Sequence, residues 1–162
     1  MKDAGFNRLK GFFRAFAAIN CKTNHDYHFE IELLPSFSTT QDILDYWDKF
    51  PTSLFEEKDA WQAVLTKHLN QWLFEFQFYD VRQKGELVQE KLDKHNNFSL
   101  SMDIYKEALV EEVIEDFYKL GEFKSCYTIH FGNNQPFYDV NSDDLLLLAQ
   151  DCSVFVHFGV SD

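Results

Sequence analysis

The chain is short of the residues that interrupt, cross-link or wrap around a ligand. Its three prolines and six glycines are scattered through 162 residues, so no linker or low-complexity stretch divides it and no glycine-rich loop is set to cradle a phosphate. The three cysteines, Cys21, Cys126 and Cys152, form no C-x-x-C pair and leave one unmatched. That excludes a disulfide framework and a cysteine-based zinc site of the usual spacing. There is no G-x-S-x-G elbow and no H-E-x-x-H run, which removes two common hydrolase signatures. Apolar runs are short: the longest candidate, Phe12 to Ile19, is broken by Arg14 and falls well below the ~18 residues a membrane span requires. The expectation is a cytoplasmic protein without a membrane span and without a cofactor.

Basic residues are also scarce, and unevenly placed. The formal net charge is −12, yet residues 1 to 22 carry +4 (Lys2, Arg8, Lys10, Arg14 and Lys22 against Asp3), leaving −16 on the rest. A field of that sign repels nucleic acid and anionic membrane and attracts basic proteins and cations. Direct nucleic-acid binding is therefore not expected.

What the chain has in quantity is aromatic residues, 17% of the total including 18 Phe. The densest run, Leu69 to Arg82, contains Trp72, Phe74, Phe76, Phe78 and Tyr79, each able to remove a large apolar area from water at roughly 25 cal/mol per Å². It predicts the centre of the core. Length and composition predict a single domain over 1–162.

Periodicity orders the elements. Phe6, Leu9, Phe13, Phe16 and Ala17 recur at helical spacing, predicting a basic amphipathic helix over 6–19. Tyr27 to Leu34 alternates as a strand stopped by Pro35. Thr39 with Asp42 predicts the start of a short helix containing Ile43, Leu44, Trp47 and Phe50. Ser53 and Glu56 match a capping box, predicting one long helix from there to about Arg82, although Phe74 to Phe78 also alternates like a strand. Shorter helices are expected over Glu86 to His95 and Leu145 to Ala149, the latter capped by Ser142 to Asp144, and a clear one over Met102 to Leu120. Cys126 to Phe131 and Ser153 to Val160 read as strands. The fold class is α+β, a small, mostly antiparallel sheet covered by a layer of amphipathic helices.

Three constellations could carry chemistry. His28, Glu30 and Glu32 share a strand face, but alternate strand residues stand about 7 Å apart, so three in a row do not converge on one ion. Asp139-Val140-Asn141-Ser142-Asp143 opens like a calcium loop, but Asp144 replaces the turn glycine and Gln150 the bidentate Glu. Cys126 with His130, or Cys152 with His157, pairs a thiol with an imidazole but lacks a glycine turn to hold an oxyanion.

The acidic clusters remain as the candidate partner-binding residues: Asp42, Asp45 and Asp48; Glu107, Glu111, Glu112, Glu115 and Asp116; and Asp139, Asp143 and Asp144. Repelling carboxylates cost stability that neutral polar side chains would not. In size, charge and missing catalytic motifs the chain is similar in character to bacterial immunity proteins, without sharing a motif with any family. That implies a non-enzymatic inhibitor of a basic partner, such as a nuclease-type toxin. The alternatives are a nucleic-acid mimic that blocks a restriction or CRISPR nuclease, and a small Cys/His enzyme.

Overall fold

Antiparallel pairing of strands far apart in sequence sets the frame. In the computed structural model, residues 2–21, 26–75, 103–132, 136–137 and 139–161 are described. Within them lie α1 (Lys2–Asn20), β1 (Asp26–Leu34), α2 (Thr40–Tyr46), β2 (Thr52–Glu56), α3 (Trp61–Asn70), a π-helical turn (Gln71–Glu75), α4 (Asp103–Tyr118), β3 (Ser125–Phe131), β4 (Asn141–Leu148) and β5 (Ser153–Ser161). The strands form one antiparallel sheet in the order β1-β5-β4-β3-β2. The α+β class expected from periodicity is the one observed.

Each sheet face has its own core. Tyr27, Phe29, Ile31, Leu145, Leu147, Val154, Val156 and Phe158 pack beneath Leu9 and Phe13 of α1, Leu65 and Leu69 of α3, Trp72 and Phe117 of α4. The opposite face carries a smaller core, in which Leu34, Ile129, Leu146 and Phe155 meet Ile43 and Trp47 at α2. Thr39 caps α2 by accepting from the Asp42 N–H, while the Asp42 carboxylate accepts from the Thr39 and Ser38 N–H groups. Those backbone bonds, Thr39 first, hold the Asp42 carboxyl below its ordinary value.

The long aromatic stretch is helical as far as Glu75, though not by one uniform helix. After Asn70 the chain widens into the π turn, which buries the consecutive residues Trp72, Leu73 and Phe74; a 3.6-residue period would not place three neighbours inward together. Asn20 at the end of α1 donates from Nδ2 to the Trp72 carbonyl at 3.0 Å, satisfying a backbone acceptor in that turn. Phe76, Phe78, Tyr79 and the expected helix over Glu86 to His95 lie outside the described residues.

Two expected elements are different in kind. Ser53 and Glu56 do not cap a helix: they belong to β2, where Ser53 pairs with His130 and Leu54 turns toward the smaller core. The helix starts only at Trp61, after Ala60. Residues 145–149 are not a helix either, because β4 sits between β5 and β3. Leu145 and Leu147 fill one core and Leu146 the other, and a strand buried on both faces reads as an unbroken apolar run with no alternation. The same extended backbone from Asn141 onward removes the calcium-loop possibility, which requires a chain that curls around the ion.

Candidate functional site

The register of the three strands at the β1 side of the sheet builds a polar cluster on the face opposite the large helical core. Glu30 lies opposite His157, which lies opposite Asp144; one step along, His28, Gly159 and Ser142 form the neighbouring row. Gly159 has no side chain to fill the middle of that row. The Asp139 carboxylate, from the loop before β4, occupies the space, and a Cβ on Gly159 would fall 2.5 Å from Asp139 Cγ.

His157 is the hub. It is fully buried, with Nδ1 2.7 Å from Asp144 Oδ1 and Nε2 3.0 Å from Asp139 Oδ2. The Phe137 ring stacks on it at 3.8 Å, and the His28 ring meets it edge-on at 5.4 Å. His28 Nε2 is in turn 3.3 Å from Glu30 Oε1. One nitrogen or oxygen from each of His28, Asp139 and His157 lies within 4.8 Å of the other two.

The electrostatics follow from burial beside like charges. Burial pushes the Asp144 carboxyl above its ordinary value, outweighing its hydrogen bonds with His157 and Ser142, and the nearby Asp139 charge adds to the rise. Burial alone would push the His157 imidazole down, but Asp139 and Asp144 prevail and hold it above its ordinary value.

A second polar contact pierces the helical core. Asp143, one residue from Asp144 and so on the other sheet face, accepts from Trp72 Nε1 at 2.7 Å and meets His68 Nδ1 at 3.1 Å. Burial raises its carboxyl, but the bonds from His68 and Trp72 overcome this and leave it below its ordinary value.

No protein-family model, curated protein or solved structure matches the chain.

The acids marked by the sequence are sorted by these contacts. Asp139 and Asp144 are buried against His157, whereas the Asp143 carboxylate, engaged by His68 and Trp72, stays partly exposed. Asp116 is also buried, held by Arg8 Nε at 2.9 Å and Lys119 Nζ at 2.6 Å, and Arg8 also pairs with Glu112. Asp42 is committed to its cap, and Asp45 accepts from Gln41 Nε2 at 2.7 Å. Asp48 is exposed in the turn after α2. Glu107, Glu111 and Glu115 stand in one row on α4 and form no ion pair among the described residues. They border a groove of about 430 Å³ between α3 and α4, floored by Val110 and Ile114 and closed on the far side by Thr66 and Asn70.

Neither of the thiol–imidazole pairs weighed above forms among the described residues. Cys152 packs in the helical core and approaches the Leu120 carbonyl at 3.9 Å, whereas His157 points from the other face. Burial first, then the Glu57 charge, pushes the Cys126 thiol up to about 12, the reverse of what a nucleophile needs. The convergence on His157 escaped sequence reasoning because its members come from three separate segments. The available signal was a lone imidazole inside the apolar run Val154 to Phe158.

Proposed function

We propose that this protein is a non-catalytic acidic binding protein that captures and inhibits a basic protein partner, the carboxylate row of α4 being its contact surface. The observation that supports this most directly is the row of Glu107, Glu111 and Glu115, exposed and without an ion pair among the described residues, beside the groove between α3 and α4. Four-residue spacing brings these side chains to one helix face at steps of about 6 Å, and like charges so placed weaken a helix by about 0.2–0.5 kcal/mol per pair. Their cost to the fold is offset when cations dock. The Val110 and Ile114 floor accepts the aliphatic stem of a lysine or arginine while its charged head meets the glutamates.

A nuclease-type toxin with a cationic cleft is the class of partner that this charge pattern fits. Complementary fields raise the association rate and make it sensitive to salt, while the apolar floor slows dissociation. The test is affinity capture of a basic protein from source cells on the immobilised chain, followed by association kinetics at several salt concentrations. Reversal of Glu107, Glu111 and Glu115 to Lys is expected to slow association at least about tenfold and flatten its salt dependence, with Asp48→Lys as the comparison. An unchanged rate and salt slope in the folded triple variant would remove the basis of the proposal.

A further inference from the structure

We propose that His28, Asp139 and His157 form a binding site for a divalent transition-metal ion of the zinc type, independently of how the acidic row is used. Two imidazoles and one carboxylate are a donor set that zinc accepts, with a further position left for water or another ligand. The three side chains come from β1, the loop before β4 and β5, and offer ligand atoms within 4.8 Å of one another. Tetrahedral coordination with arms of about 2.0–2.1 Å requires ligand atoms about 3.4 Å apart. His157 Nε2 and Asp139 Oδ2, at 3.0 Å, are already close to this. His28, whose side chain is 45% exposed, has the freedom to swing in from the solvent side, which also gives the ion its way in.

The hold on His157 also points to a cation. Its buried Nε2 faces Asp139 Oδ2 at 3.0 Å, while Nδ1 is fixed on Asp144 at 2.7 Å. A carboxylate holding one ring nitrogen so that the other faces outward is the usual support behind a metal-bound imidazole. Gly159 is part of the device, because any side chain there would evict the Asp139 carboxylate.

The experiment is calorimetric titration of the metal-stripped full chain with Zn²⁺, together with visible absorption of the Co²⁺ form as a report on low-coordinate nitrogen and oxygen ligation. One ion per chain is expected. His28→Ala, at a partly exposed position that leaves the core intact, should weaken Zn²⁺ binding at least tenfold. Asp144→Asn should do so by about 10–100-fold through the His157 ring. Glu32→Gln, on the same strand face but outside the trio, should bind as the parent does. Absence of stoichiometric Zn²⁺ binding, retention of parental affinity by His28→Ala, or loss of binding in Glu32→Gln would each overturn the proposal. Because His28 and Glu32 are both solvent-accessible, the comparison holds even if His157→Gln does not fold.

Discussion

Replacing Trp72 by Phe tests the bridge between the π turn and the sheet. Trp72 is fully buried, its ring stacked on Phe158 with centroids 6.1 Å apart and edge-on to Phe29 at 6.2 Å, and its Nε1–H donates to Asp143 Oδ2 at 2.7 Å. Phenylalanine preserves most of the apolar contact but deletes the donor, and a hydrogen bond to a charged group contributes about 1.5–3 kcal/mol. With the smaller ring's packing loss, the expected destabilisation at pH 7 is about 2–4 kcal/mol. At roughly 2–4 °C per kcal/mol for a chain of this size, the melting temperature should fall by roughly 4–16 °C. The acid dependence supplies a second readout. In the parent the folded-state Asp143 carboxyl lies below its ordinary value of 3.8, so its contribution is present above that pH and is lost as pH falls through the lower folded value. The variant lacks one of the two bonds that hold it down, so the stability gap should narrow in acid. Urea denaturation of both proteins at pH 7 and at about pH 3 measures this. A gap below 1 kcal/mol at pH 7, or one of equal size at both values, would refute the assigned role of the Trp72–Asp143 bond.

Gly159→Ala should destabilise by about 1–3 kcal/mol through overpacking against Asp139, since the added Cβ would lie 2.5 Å from its carboxyl carbon; an unchanged denaturant midpoint would mean that the carboxylate does not sit over this strand. For the thiols, Cys126 is buried and raised to about 12 whereas Cys21 is half-buried, so at mildly alkaline pH a thiol reagent should modify Cys21 first and Cys126 only on unfolding. Mass spectrometry of the labelled peptides reads the order, and faster labelling of Cys126 in the folded protein would contradict it.

The sequence by itself determined what depends on neighbours along the chain. Strict alternation over Tyr27 to Leu34 specified β1, because a strand with one solvated face shows its period in the hydrophobic pattern. Helical spacing specified α1 and α4 for the corresponding reason, and Thr39 with Asp42 specified where α2 begins. The acidic balance is likewise a property of the sequence and needs no fold. Where burial comes from both sides, the local signal vanishes: Leu145 to Leu148 shows no period because β5 and β3 flank it and both cores claim its side chains. Ser53 and Glu56 resemble a helix cap in identity, and only pairing with β3 makes them a strand. The π turn at Trp72 likewise depends on a partner outside its own segment, since Asn20 and Asp143 meet that residue from other elements. The same holds most strongly for the polar cluster. Nothing in the order of residues relates His28 to His157 or Asp139 to Gly159. Tertiary structure alone decided that neighbouring carboxylates would part, Asp143 into the helical core and Asp144 toward His157, because consecutive residues of a strand must leave the sheet on opposite faces.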